Sequence, residues 1–184
     1  FQDSDGYMWF GTSDGVCRYD GYRIITFRSN INAPKLLTDN EITCITEDRG
    51  NNLWIGTKRG INILNKKNYQ ISHLENESVR NSEINYIKVI QNGDIWVSAG
   101  NRLLCFNPDL SLKTRYDEPV LPNASAHCIY EDAEGNIWIC RWNNGLLKYD
   151  KKTGSFVKYP KIGVNDNPFI IFQDNRSQFW ICTW

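Results

Sequence analysis

The sequence predicts an all-β chain built from one repeated four-stranded sheet, and two observations support this. A tryptophan recurs at intervals of 45, 42, 42 and 42 residues, within similar text each time. Short alternating apolar segments lie on either side of it, bounded by Gly, Asn, Asp and Pro, as is typical of strands. A repeat of about 40–45 residues is the period of a propeller blade. We therefore expect residues 1–184 to form a β-propeller fragment of about four four-stranded blades, part of a longer propeller. The blade tryptophans are Trp9, Trp54, Trp96, Trp138 and Trp180.

The order of strands within a blade can be followed in the second copy. An apolar segment at 42–45 precedes the strand that carries Trp54, and further segments follow at 61–64 and 71–74. The later copies repeat this order, and no window of helical length shows a 3.6-residue apolar period. A single small sheet cannot cover both of its faces, so blades must stack. The aligned tryptophan is then interpreted as the large side chain that fills the space between neighbouring blades.

The turn between the first and second strands has its own residue pattern. An Asp precedes the tryptophan by six residues in four copies, where its side chain can accept hydrogen bonds from backbone amides two residues on. Gly or Asn occupies the position three before the tryptophan in most copies, which predicts a positive φ there. The third copy departs most, with VIQ at 89–91. The four Asp residues are Asp3, Asp48, Asp132 and Asp174.

Composition excludes several classes of protein. Lys and Arg total 21 and Asp and Glu also total 21, so the formal net charge is zero. The chain therefore lacks the excess of basic residues that is typical of nucleic-acid-binding proteins. No apolar run is long enough to span a membrane, so any membrane contact is expected through segments outside this sequence. The six cysteines lack zinc-site spacing, and no catalytic constellation is evident, so neither a metal nor a cofactor is predicted. Cys44 and Cys128 are equivalent in the repeat, as are Cys140 and Cys182, and we expect them to be small core residues.

The repeat text resembles a known family. The strings EDRGNNLWIGTKRGINILN and EDAEGNIWICRWNNGLLKYD are similar to the two-component regulator propeller repeat, and the likeness extends to all five tryptophan sites. That resemblance implies the periplasmic sensor region of an inner-membrane hybrid histidine kinase. It further implies a non-catalytic region that recognises an oligosaccharide and associates with a second copy of itself.

The position of a ligand follows from the blade geometry. The links from one blade to the next are long and should share a face with the turn after the second strand. Long loops on a rigid scaffold are where binding residues concentrate. The links are 29–41, 75–83, 117–125 and 160–167.

Two tryptophans end the second strand on this predicted face. Trp142 and Trp184 each follow the blade tryptophan by four residues, and their rings could stack on a sugar. Arg141 and Asn143 could add hydrogen bonds to hydroxyls, and His127 begins an inner strand near the same face. A purely structural alternative is that both indoles pack beneath neighbouring loops.

Other functions stay open at this point. The propeller could be an assembly scaffold that binds no small molecule, or a polysaccharide lyase, which would need clustered Glu, His, Arg and Tyr on one face. The chain could also close a ring with a partner copy instead of belonging to a longer propeller.

Replacing Trp142 by Ala in the intact sensor tests the stacking hypothesis. If its indole contacts the ligand, the transcriptional response to the inducing glycan should weaken while the protein remains folded. An unchanged response from a normally folded variant would remove Trp142 from the site.

Overall fold

Short apolar strands joined by tight polar turns form successive antiparallel sheets. The computed structural model describes residues 1–30, 36–117, 125–141, 145–160 and 167–183. Five sheets follow one another there, and we number them as blades 1 to 5. Blade 1 contains β1 (Met8–Thr12), β2 (Gly15–Tyr19) and β3 (Ile24–Phe27). Blade 2 contains β4 (Ile42–Glu47), β5 (Asn52–Thr57), β6 (Gly60–Asn65) and β7 (Ile71–His73). Blade 3 contains β8 (Ile84–Val89), β9 (Ile95–Ala99), β10 (Arg102–Phe106) and β11 (Leu112–Tyr116). Blade 4 contains β12 (Ala126–Glu131), β13 (Ile137–Arg141), β14 (Gly145–Asp150) and β15 (Ser155–Lys158). Blade 5 contains β16 (Pro168–Gln173) and β17 (Phe179–Thr183).

The predicted architecture is confirmed, with a refinement at both ends. Blades 2, 3 and 4 are complete four-stranded meanders, and no helix occurs in the described ranges. Blade 1 has three strands there, with a single bridge between Gln2 and Met8 in place of a first strand, and blade 5 has two. No helix long and apolar enough to cross a membrane is found among the residues described.

Four of the five blade tryptophans fill the interfaces between blades, as predicted. Trp9 packs with Leu53 and Ile55 of blade 2. Trp54 packs in the same way with residues of β8, β9 and β10 in blade 3. Trp96 packs with residues of β12, β13 and β14 in blade 4, and Trp138 packs with Ile171 of β16 in blade 5. Their exposed fractions are between 0% and 4%. Trp180 is 57% exposed because no further sheet covers it among the described residues. Burial of such a side chain is a large apolar contribution, on the order of 3 kcal/mol.

The aspartate six residues before the tryptophan caps both the turn and the indole. In blade 4, one carboxylate oxygen of Asp132 accepts the backbone N–H groups of Glu134 and Asn136 at 3.1 and 2.7 Å. Its other oxygen accepts the indole N–H of Trp138 at 2.8 Å. The first contact confirms the predicted turn, whereas the indole contact was not anticipated. The same indole bond recurs at 2.8–2.9 Å in blades 1, 2 and 5.

Blade 3 keeps the turn without the aspartate. Ile90 occupies that position, yet its backbone N–H still donates to Asp94 O at 3.0 Å, and Gly93 N–H donates to Ile90 O at 2.9 Å. The position three before the tryptophan has positive φ in all five copies, including Asn51 and Ser177. The indole N–H of Trp96 has no hydrogen-bond partner among the residues that the structure describes. The backbone turn therefore depends on the φ angle, and the aspartate serves chiefly the indole.

A recurring polar contact also joins three of the four pairs of neighbouring blades. The residue after the turn position donates its backbone N–H to the side chain that ends the following blade's first strand: Ser4 to Glu47, Gln91 to Glu131, and Ala133 to Gln173, at 2.6–2.9 Å.

A buried ammonium reinforces the contact between blades 1 and 2. Lys66 Nζ lies 2.8 Å from Asp5 and 2.5 Å from Glu47. Burial lowers the pKa of Lys66, but bonds to Asp5 and Glu47 outweigh it and leave the pKa above its ordinary value.

The first strands of successive blades pack side by side and form the inner wall of the arc. β4 contacts β8, β8 contacts β12, and β12 contacts β16. We call the wall formed by these four strands the axial surface. Small residues beside it permit this approach, because a Cβ added at Gly56 would lie 2.5 Å from Cys44 Sγ and 2.8 Å from Ile84 Cγ2. The predicted need for a small residue holds at Gly56 and at the buried Cys140, whereas Cys182, which was expected in the core, is exposed because no further sheet covers it among the described residues.

Replacing Asp132 by Ala should lower the free energy of unfolding by about 3 kcal/mol, since the buried indole N–H and two backbone amides lose a charged acceptor. Urea denaturation measures this. Asp109→Ala is the matched control: among the described residues its exposed carboxylate accepts side-chain and backbone bonds from Ser111 alone, and the loss should be about 0.5 kcal/mol or less, as for a typical surface substitution. Equal losses in the two variants would contradict the proposed role of the indole bond.

Stability should also fall in acid. Burial raises the pKa of Asp132, but hydrogen bonds from Trp138 and Asn136 outweigh it, so the folded pKa is lowered. The stabilisation is therefore complete above the unfolded pKa of about 3.9 and is lost as pH falls through the lower folded value. Urea midpoints measured from neutral pH to strong acid should decline in that range. The decline should be shallower in Asp132→Asn, and an identical pH profile would refute the assignment.

Candidate functional site

The links between blades and the turns after the second strands lie at one end of the arc, as predicted. Gly15 N–H donates to Asn40 O at 2.8 Å, and Gly100 N–H donates to Glu83 O at 2.8 Å. The first bond ties a link to the turn after the second strand of the blade before it, and the second bond ties a link to the corresponding turn of the blade after it. We call this end the link face. Segments 31–35, 118–124 and 161–166 of the links lie outside the described residues.

A polar groove of about 610 Å³ opens on the link face at blade 2, between the link that precedes this blade and the link that follows it. Charges of both signs line it, including Asp39, which lies 3.5 Å from Arg59, and the paired Glu75 and Arg80. His73 is 2.7 Å from the carbonyl oxygen of Leu36, which fixes the ring at the groove edge. The internal pairing of these charges favours a structural role for most of them.

Each of the four strands of the axial surface contains one β-bulge. The register of each first strand shifts by one residue at the same repeat position, in β4, β8, β12 and β16. A bulge adds one residue to a strand and re-aims its side chain, and bulges are common beside functional sites. We call the four residues at these shifts the bulge ring. They are Thr43, Asn85, His127 and Phe169.

The bulge ring lies where the axial surface meets the link face. Each member comes at the start of a first strand, and Asn85 Nδ2 donates to Gly100 O at 3.1 Å, in a turn of the link face. The ring lines a depression of about 640 Å³, together with Tyr86 and Lys88 deeper in the wall. It therefore forms a mouth at one end of the inner wall.

The mouth combines aromatic area with hydrogen-bonding groups. The rings of His127 and Phe169 stack with centroids 5.9 Å apart, and Phe169 is 46% exposed. Thr43 and Asn85 offer hydroxyl and amide groups on the neighbouring strands. Burial and the nearby Cys128 raise the pKa of Tyr86, so its phenol stays neutral. This arrangement can hold a flat polar molecule through stacking and hydrogen bonds, and no acid–base pair is needed for that.

The predicted site residues are placed unequally. His127 is half-buried and lines the mouth, as expected from its place at the start of an inner strand. Arg141 ends β13 on the link face but is only 4% exposed, and burial lowers its pKa. Trp142, Asn143 and Trp184 lie outside the described residues, so their part in a site stays a prediction.

Sequence reasoning missed the other three members of the bulge ring. Thr43, Asn85 and Phe169 each sit between apolar residues in a first strand, where strict alternation predicts an ordinary strand position. A signal was present, since this repeat position is chemically variable while its neighbours are consistently apolar. Only the strand register, however, shows that a residue is added there.

No group of three or more His, Cys, Asp or Glu residues suited to a metal is found within the described ranges.

Comparison with known sequences identifies the repeat. The sequence profile named "Two component regulator propeller" matches residues 1–14, 36–59 and 120–140. In these three segments the chain resembles two-component regulator propeller repeats. The histidine kinase P4 of Formosa agariphila is 27% identical to this chain over 169 residues, which is 86% of this chain and 12% of that protein.

Solved structures show the same fold. The extracellular domain described for the hybrid two component system BT3049 of B. thetaiotaomicron superposes with a TM-score of 0.84 at 23% identity, covering 100% of this chain and 27% of that one. Virginiamycin B lyase from Staphylococcus aureus also superposes, with a TM-score of 0.77 at 19% identity, over 100% of this chain and 61% of the lyase.

The identities and coverages of these matches define what can be said of the chain. The chain has a propeller fold and resembles two-component regulators in sequence, and an arc of a longer propeller fits its partial coverage of these proteins. It spans about an eighth of the curated kinase that it matches, 12% of that length.

Proposed function

We propose that the chain is part of the extracytoplasmic ligand-sensing propeller of a hybrid two-component histidine kinase, and that it detects an oligosaccharide. The family repeat and the fold shared with an extracellular domain support the sensor role. The observation that carries the ligand class is the bulge ring, where four consecutive blades present polar or aromatic side chains at one mouth.

A sugar suits this mouth because it has both apolar C–H faces and many hydroxyls. The exposed Phe169 ring, backed by His127, supplies the flat surface on which a pyranose face can stack. Thr43 and Asn85 supply donors and acceptors at the adjacent strands, and Trp142 and Trp184 are predicted to extend the aromatic surface.

The signalling role makes the propeller itself non-catalytic, with the enzymatic step in the kinase of the parent protein. The propeller would reside in the periplasm, attached to the inner membrane through segments outside this sequence. Ligand binding would shift the propeller against a second copy and bias the kinase, which requires tighter binding to one of the two arrangements.

The ligand test compares variants of the parent sensor in detergent micelles or nanodiscs. Isothermal titration calorimetry against a panel of plant and host oligosaccharides should identify a binder. Phe169→Ala and His127→Ala should each weaken its binding about tenfold, equivalent to about 1.4 kcal/mol, by removing stacking area.

Lys152→Ala is the matched control, because this exposed residue lies in the turn between β14 and β15 at the opposite end of the blade. Its affinity should equal that of the native sensor, and thermal unfolding should show that all variants fold. Native affinity in both mouth variants would reject the bulge ring as the site. A panel with no binder would reject the oligosaccharide assignment.

A further inference from the structure

Blade 4 contains a pair of cysteines that no other described blade reproduces. Cys128 in β12 and Cys140 in β13 are directly opposite each other in the antiparallel register. The equivalent pairs are Cys44 with Gly56, Tyr86 with Ser98, and Ile170 with Cys182. Blade 4 alone among these places a thiol at both positions.

The two thiols point to the same side of the sheet. Cys128, Cys140 and Ile171 belong to one cluster of buried residues, and the exposed fractions of the two cysteines are 2% and 0%. The equivalent pair in blade 2 shows how close these positions are, since a Cβ built at Gly56 would lie 2.5 Å from Cys44 Sγ. Opposite residues in antiparallel strands have Cα atoms about 4.5–5.5 Å apart, which lies within the range that a disulfide spans.

We propose that Cys128 and Cys140 form a cross-strand disulfide in the native protein, a modification that closes the β12–β13 hairpin. The inference rests on the extracytoplasmic location in the proposed function, because disulfides persist in oxidising compartments.

The chemistry is a thiol–disulfide exchange with an extracytoplasmic oxidoreductase that carries a reactive disulfide. The Cys128 thiolate attacks one sulfur of that disulfide, whose other sulfur leaves as a thiolate, and a mixed disulfide forms. The Cys140 thiolate then attacks the Cys128 sulfur, which forms the Cys128–Cys140 bond and releases the oxidoreductase as a dithiol. Two electrons pass from the cysteine pair to the oxidoreductase, and the two thiol protons end on its sulfurs.

The pairing of the two thiols in the folded blade changes the pKa of Cys128. A hydrogen bond from the Cys140 thiol lowers the pKa of Cys128, against the opposing effect of burial. The equivalent Cys44 has no opposing thiol, and burial raises its pKa to about 11. Because both sulfurs are buried in the folded blade, the exchange takes place while the hairpin is still open to solvent.

The bond would affect the candidate site directly. Cys128 follows the bulge-ring residue His127, and Cys140 precedes Arg141 at the link face. A covalent link between β12 and β13 would therefore fix the bulge that presents His127 to the mouth.

Peptide mapping tests the proposal on the parent protein after export to the bacterial envelope. Acid quenching, alkylation without reductant and trypsin digestion leave both cysteines in one peptide, 116–141, which has no internal Lys or Arg. This peptide should be unalkylated and two hydrogens lighter than its reduced form, and cleavage after Glu131 should leave its halves joined. Cys44 is the internal control, since it has no thiol opposite it and should be alkylated.

A double-mutant cycle separates the bond from simple packing. Cys128→Ala, Cys140→Ala and the double variant should show the same reduction in melting temperature. Reductant should lower the melting temperature of the native protein and leave that of these three variants unchanged. Cys44→Ala should keep the sensitivity of the native protein to reductant. Additive losses insensitive to reductant, or peptide 116–141 with two alkyl groups, would overturn the proposal.

Further outcomes distinguish this inference from the sensor proposal. A bonded pair in a protein that binds no oligosaccharide supports the disulfide and rejects the ligand. Two alkylated thiols in a protein that binds its sugar reject the disulfide alone. If the exported protein is reduced, refolding in a glutathione redox buffer shows whether the strand geometry or the assumed compartment was wrong.

Discussion

Burial of one indole between each pair of successive blades is the interaction on which this arc depends. A four-stranded sheet of this size has two apolar faces and cannot cover them alone. The tryptophans of blades 1 to 4 each extend into the core of the following blade, so each interface is built from residues of two repeats. Trp180, with no further sheet over it among the described residues, shows what the same side chain looks like without that cover. Stability is therefore distributed over nearest-neighbour contacts, as in other repeat proteins.

The aspartate of the repeat links the local turn to this interface. The two carboxylate oxygens have different partners: in blade 4, one accepts hydrogen bonds from the backbone of the turn, and the other accepts the hydrogen bond from the indole N–H. Blade 3 separates these two roles, because Ile90 keeps the turn while the Trp96 indole loses its acceptor. The turn is thus governed by backbone conformation, and the recurring six-residue spacing of Asp and Trp reflects the need to satisfy a buried donor.

The candidate site arises where the regular repeat is interrupted. Bulges at one repeat position place four different side chains at the mouth of the axial surface, on a scaffold held rigid by blade stacking. The chemical identity of those side chains varies from blade to blade while the backbone does not. A rigid scaffold can change its binding specificity at such positions without altering the core. The Cys128–Cys140 pair stands beside one of these bulges, so that covalent chemistry and ligand contact would share one hairpin.

The sequence alone determined the repeat, the strand order and the positive-φ turns, because each depends on short-range periodicity or on the local needs of Gly, Asn and Asp. It also placed His127 near the link face, from the meander order of the strands. Tertiary structure decided the rest: that Arg141 is buried, that Thr43, Asn85 and Phe169 form a ring with His127, and that Cys128 lies opposite Cys140. These features depend on inter-strand register and on the neighbouring blade, and a one-residue bulge alters both without leaving a mark in the apolar pattern.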